Sequence, residues 1–176
     1  MRQPVTADNL YVFMKALSAA VTAPSRIYLV GGATSVLLGW RTSTIDIDLK
    51  IIPESDEILR SLPELKERLH VNIELASPGD FIPELPGWQE RSRFIQQEGK
   101  LSFYHYDFYA QALAKIERGH RMDSQDVQQL IASGLVDPKR LLELFFMIED
   151  QLYHYPDLDG PTFRRAVESL VSDTQT

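Results

Sequence analysis

Apolar and polar positions along the chain change period several times, and each change marks an element. Over Asp8–Val21 the positions Leu10, Val12, Phe13, Leu17 and Ala20/Val21 approximate helical spacing, with Asp8 placed to cap the start and Pro24-Ser25 to break it. Arg26–Val30 is a β-branched and aromatic run ending in Gly31-Gly32, which predicts a strand and a tight turn. Ala33–Gly39 is short and apolar enough for a buried helix stopped by Gly39. Thr44–Ile52 alternates with period two and predicts the next strand, ended by Pro53. Glu54–His70 predicts a polar helix with Ile58, Leu59, Leu62, Leu65 and Leu69 inward and a kink or division at Pro63. Val71–Leu75 alternates as a third strand, and Ser77–Gly87, with three prolines and two glycines, predicts a loop. Arg93–Gln97 and Lys100–Tyr106 predict a hairpin across Glu98-Gly99.

From Asp107 the pattern is helical: Asp107–Arg118, Asp123–Ser133, Pro138–Tyr153 and Pro161–Ser172, with breaks at Gly134 and Pro156. Val171–Thr176 is small and polar and is expected to fray. The layout predicts an α/β (α+β) fold, with a small mixed sheet and flanking helices over 1–106 and a helical segment packed on it over 107–176.

One strand carries chemistry. Residues two apart in a strand share a face, so Asp46 and Asp48 project side by side while Ile45, Ile47 and Leu49 pack on the other side. Two neighbouring carboxylates repel unless a positive charge joins them, and hard divalent ions such as Mg2+ or Mn2+ are bound by carboxylate oxygens together with substrate phosphates. A solvated strand face is the bland alternative, weakened by the poor strand propensity of Asp. Glu74, between Ile73 and Leu75, adds a third carboxylate if its strand neighbours the first, and Asn72, one pleat earlier, competes for that place. Such a trio suits a two-metal phosphoryl-transfer site.

Val30-Gly31-Gly32-Ala33-Thr34-Ser35 leads from strand into helix. Glycines there let backbone approach a phosphate, and Thr34 and Ser35 can add hydroxyl donors. The run matches neither the dinucleotide fingerprint nor the P-loop, and taken alone a plain tight turn is the commoner explanation.

Composition narrows the field. The chain has 176 residues, 44% hydrophobic and 24% charged, enough for one compact domain with a small helical appendage. With no cysteine, disulfides and thiolate metal sites are excluded. No apolar run is long enough to span a bilayer, and Met1-Arg2-Gln3-Pro4 lacks a signal-peptide core, so a cytoplasmic protein with no membrane partner is expected. The net charge of −7 disfavours broad nucleic-acid binding, although Lys115, Arg118, His120 and Arg121 form a local cationic cluster. His105 and His120 lack spaced partners and read as non-ligands, and Phe103, Tyr104, Tyr106, Phe108 and Tyr109 read as core and interface rather than a base-stacking platform.

Strand, Gly31-Gly32, short helix and then Thr44-Ile45-Asp46-Ile47-Asp48-Leu49 resembles the nucleotidyltransferase (polymerase β-like) superfamily pattern. Ala112–Arg118 followed by Arg121–Val127, and Asp80–Trp88, are similar to stand-alone bacterial nucleotidyltransferase-like domains related to AbiEii-type toxins. The resemblance spans about residues 26–131. It implies Asp46, Asp48 and Glu74 as metal-binding and catalytic carboxylates for Mg2+ or Mn2+. Gly31, Gly32, Thr34, Ser35, Lys115 and Arg118 would then meet the nucleotide. The implied reaction moves a nucleoside monophosphate from an NTP to an acceptor: an RNA such as a tRNA end, a protein or a small molecule. Two positions depart from the pattern: Ala33 stands where a serine often follows the glycines, and Glu74 replaces the commoner Asp. A binding protein with the same fold, acting as a partner in a toxin–antitoxin pair, and a metal-dependent nuclease are the alternatives. For Asp123, a helix cap in Asp123-Ser124-Gln125-Asp126 and a functional role are equally open, and Asp126 would gain from the helix dipole without any catalytic duty.

Overall fold

The computed structural model describes residues 2–174, which form two compact units. The first runs to Ser77 and resumes over Ser92–Tyr106; the second comprises Pro78–Arg91 and the chain from Asp107 onward.

The first unit contains α1 (Ala7–Ala19), β1 (Ser25–Val30), α2 (Gly32–Leu37), β2 (Asp46–Ile52), α3 (Asp56–Leu69), β3 (Asn72–Leu75), and, after the intervening α4 (Trp88–Arg91) of the second unit, β4 (Arg93–Glu98) and β5 (Leu101–His105). Its sheet is mixed and ordered β3-β2-β1-β5-β4. β1 runs antiparallel to β2 and parallel to β5, while β2 and β3 are parallel. One sheet face, bearing Ile27, Leu29, Ile47, Leu49, Ile51, Ile73, Leu101 and Phe103, is covered by Leu10, Phe13, Met14 and Leu17 of α1 and Ile58, Leu62 and Leu65 of α3. Burying each such side chain contributes about 1.5–3 kcal/mol, which makes this face the anchor of the unit.

α1 starts at Thr6 rather than Asp8. Thr6 Oγ1 accepts from the Asn9 backbone N–H at 3.3 Å, and the Asn9 side chain accepts from the Thr6 N–H at 2.9 Å. This reciprocal cap satisfies two end donors at once, which Asp8 alone could not. Only positions three or four apart can share the buried stripe, so Phe13, Met14 and Leu17 join Leu10 there, and Val12 lies 51% exposed. α3 runs unbroken through Pro63. Ser55 caps its start, accepting from Ile58 N–H at 3.2 Å, and the buried stripe Ile58, Leu62 and Leu65 holds the helix across the lost Pro63 donor. β2 begins at Asp46, two residues later than its alternation suggests, because Thr44 is tied to Val5 by a pair of backbone bonds. Ile45, just outside the strand, is 77% exposed and does not pack with Ile47 and Leu49.

In the second unit, α5 (Phe108–Arg118), α6 (Arg121–Ala132), α7 (Pro138–Ile148) and α8 (Gly160–Thr174) follow a loop that includes a 3-10 turn at Pro78–Asp80. Asp107 caps α5 by accepting from Tyr109 N–H, and Arg91 of α4 holds it with a 2.8 Å ion pair. α7 ends at Ile148 and continues as a 3-10 turn over Glu149–His154. Phe145 of α7 meets Phe163 of α8 with ring centroids 4.9 Å apart. α8 carries helix through Thr174, so the expected fraying does not begin at Val171; Gln175 and Thr176 lie outside the described residues. No helix among the described residues is long and apolar enough to cross a membrane.

Candidate active site

β2 and β3 lie parallel with Asp46 opposite Asn72 and Asp48 opposite Glu74. All four side chains therefore stand on the sheet face opposite the apolar core. Asp46, Asp48 and Glu74 each offer a carboxylate oxygen, and these oxygens lie within 4.8 Å of one another. Asp46 and Asp48 are half-buried and Glu74 is exposed, so the group opens to solvent. Three hard anionic donors this close could hold a hard divalent cation. Asn72 links two of them: its amide nitrogen donates to Asp46 Oδ1 at 2.7 Å and to Glu74 Oε1 at 2.9 Å. Asn72 and Glu74 were rivals for one place in the sequence, and the parallel register brings both to the site.

The two glycines do different jobs. Gly31 takes φ +64°, a left-handed conformation that suits glycine, and a Cβ there would sit 3.6 Å from Asp48 Oδ2, so the turn lies directly against the acidic group. At Gly32 a Cβ would fall 2.0 Å from Thr44 Oγ1 and 2.7 Å from Thr44 Cβ. Close packing on Thr44 is thus a sufficient reason for glycine at this position. Gly32→Ala is expected to destabilise the fold by about 2 kcal/mol through overpacking. Thr44→Gly in the same chain should relieve much of that cost, which a double-mutant cycle in urea would measure.

Thr34 and Ser35, expected to offer hydroxyls to phosphate, are 3% and 2% exposed. Thr34 Oγ1 meets His105 Nδ1 at 3.0 Å and lies 3.4 Å from the Leu29 carbonyl. The turn places these side chains inward because α2 begins at Gly32 and packs at once against the sheet. The His105–Thr34 contact leaves no local signal in the sequence, because the two residues are 71 positions apart. Burial, with the charge of Arg93 on the adjacent strand, lowers its pKa to about 4, so the imidazole is neutral at pH 7.

Lys115 and Arg118 are grouped in the second unit with the acids of α6. Lys115 Nζ lies 2.8 Å from Asp126 Oδ2 and 3.6 Å from Asp123 Oδ1, and Arg118 reaches both oxygens of Asp123, through Nε at 2.6 Å and through an η nitrogen at 2.5 Å. Asp123 is therefore no cap; α6 starts two residues earlier, with His120 at the N-cap. Asp126 likewise has a specific partner beyond the helix dipole. Burial pushes the Asp123 carboxyl up, but the Arg118 bonds and the charges of Lys115, Arg118 and His120 outweigh it and hold its pKa below the ordinary value. Its stabilising effect is complete above the unfolded-state pKa and is lost as pH falls through the lower folded value. Asp123→Ala is expected to cost about 2 kcal/mol in chemical denaturation at pH 7, moderated because Arg118 can return to water and Lys115 keeps Asp126.

A family model described as "Nucleotidyltransferase of unknown function (DUF6036)" matches residues 9–167. No curated protein matches the chain. A solved structure of an antigenic nucleotidyltransferase-like protein from Paracoccidioides brasiliensis is similar at 17% identity, covering 94% of this chain and 95% of that one, with a TM-score of 0.49. The family match takes in the glycine turn and all three carboxylates across nearly the whole chain, and the chain belongs to this nucleotidyltransferase family of unknown function.

Proposed function

We propose that the chain is a metal-dependent nucleotidyltransferase that moves a nucleoside monophosphate from an NTP to a hydroxyl acceptor and releases pyrophosphate. The observation that carries this reading is the parallel register of β2 and β3, which sets Glu74 beside Asp48 in a member of a nucleotidyltransferase family. Asp46, Asp48 and Glu74 would hold Mg2+ or Mn2+. When bound, the metal supplies positive charge against the triphosphate and against charge developing on the transferred group. The acceptor oxygen bonds to the α-phosphorus as the bond to the pyrophosphate oxygen breaks, and the hydroxyl proton leaves to solvent at the open side of the carboxylates. Gly31, with no side chain beside Asp48, leaves room for the nucleotide's phosphates next to the acids. The ion pairs of Lys115 and Arg118 give those residues a structural duty in their own unit, so the phosphate contacts are assigned here to the glycine turn.

The test is incubation of the protein with α-labelled NTPs, Mg2+ and cell lysate, followed by location of the label in RNA, protein or small molecules. Label transfer in the wild type and none in Asp46→Asn supports the reading. Absence of any Mg2+-dependent NTP binding by the wild type would sink it.

A second reading, a weak or inactive nucleotidyltransferase-fold protein that acts as a partner in a toxin–antitoxin pair, is favoured by one observation. After the glycines come Ala33 and the inward-facing Thr34 and Ser35, so the first helical turn presents no exposed hydroxyl to phosphate. Stable co-purification with a partner, together with no NTP-induced thermal shift, distinguishes it.

A further inference from the structure

We infer that Asn72 is a positioning residue of the acidic site: its side-chain amide fixes the Asp46 and Glu74 carboxylates for a divalent cation and thereby sets the metal affinity. This rests on the reading of the three carboxylates as a metal site. Asn72 stands opposite Asp46 across the parallel β2–β3 pair and two residues before Glu74 on the same face. A side-chain amide has two hydrogens, and the nitrogen lies 2.7 Å from Asp46 Oδ1 and 2.9 Å from Glu74 Oε1, one hydrogen for each acid. Each carboxylate has a second oxygen with which to ligate.

The residue type matters. Asparagine is a poor strand former, and a β-branched residue would suit β3 better if the position had only to pack. A Lys or Arg would neutralise the acids and compete with the metal, whereas an Asp would add a fourth negative charge. The neutral amide bridges two anions without altering the charge available to the ion. The bridge also answers the length of Glu74. Its side chain is longer than Asp and exposed, so without a tether it would turn away from Asp46 and Asp48 into water. Calling it back on metal binding would cost rotamer entropy, which the Asn72 bond removes in advance.

The experiment measures Mn2+ binding directly, by the electron paramagnetic resonance signal of free Mn2+, in the full chain. Wild type, Asn72→Ala, Asn72→Thr and Asn72→Gln are compared, each with its unfolding temperature in EDTA. Asn72→Ala is expected to bind Mn2+ about 10- to 100-fold more weakly. Its unfolding temperature in EDTA should not fall with it, and Asn72→Gln, which keeps the amide, should recover part of the affinity. Asn72→Thr suits a strand and lacks the two-hydrogen bridge, so it gives the same reading if the alanine variant does not fold. Mn2+ affinity within twofold of wild type in Asn72→Ala or Asn72→Thr overturns the positioning role and leaves the metal site standing. No Mn2+ binding by the wild type, with or without NTP, overturns the metal site itself and the inference with it.

Discussion

Asp48→Asn is expected to lower NMP transfer at least about a thousandfold while leaving the fold intact. Asp48 sits between the other partners of the site: Glu74 is its register mate on β3, Asp46 lies two residues back on the same face, and Gly31 closes over its Oδ2. Asparagine keeps the shape and removes the charge, so the variant separates ligation from packing. A metal ion contributes several kcal/mol of transition-state charge stabilisation, and losing about 4 kcal/mol corresponds to the thousandfold drop. Three like charges within 4.8 Å repel in the metal-free protein, and a bound cation offsets that repulsion. On adding metal at 100 times its Kd, the wild type should gain about 2.7 kcal/mol and the variant much less. Activity within tenfold of wild type would remove Asp48 from the site.

The other large effect is a pH dependence of folding that His105 imposes. An unfolded histidine titrates near 6.5, and burial holds His105 at about 4 in the folded chain. Between these values the unfolded state binds a proton that the folded state refuses, so stability falls as pH drops from 6.5 to 4. The contribution is full above 6.5 and levels off below 4. Across that window the loss is about 3 kcal/mol. Carboxylates also titrate toward the acid end, so the diagnostic quantity is the difference between wild type and His105→Gln in urea denaturation across pH. The variant should be less stable at pH 7, because the Thr34 contact changes, and should show a shallower decline between pH 6.5 and 5. An identical slope in both would exclude His105 as the source. The effect bears on the site because His105 holds Thr34 in the helix that follows the glycine turn.

Period-two alternation is a local property, and so Asp46 and Asp48 could be assigned to one face of a strand from their spacing alone. The same local rules located each of the five strands among the described residues and the stripe Leu10, Phe13 and Leu17. They failed at the ends of elements. Thr6 displaced Asp8 as a cap through a bond with Asn9, and Thr44 was drawn out of β2 by Val5, a partner 39 residues away in sequence. Pro63 could not be judged without the apolar surface that carries α3 through it.

The alternation also determined that Glu74 is polar-side-out, and the glycine pair that a turn stands before the Asp strand. Whether Glu74 meets Asp48 was a question of strand order and register, and these follow from how α1 and α3 cover a shared core face rather than from any signal near Glu74. The tertiary structure likewise decided the partners of charged and polar groups. Lys115 found Asp126 and His105 found Thr34, and Asn72 became the bridge between two acids, because hydrogen bonds and ion pairs act over about 3 Å in space and carry no period along the chain.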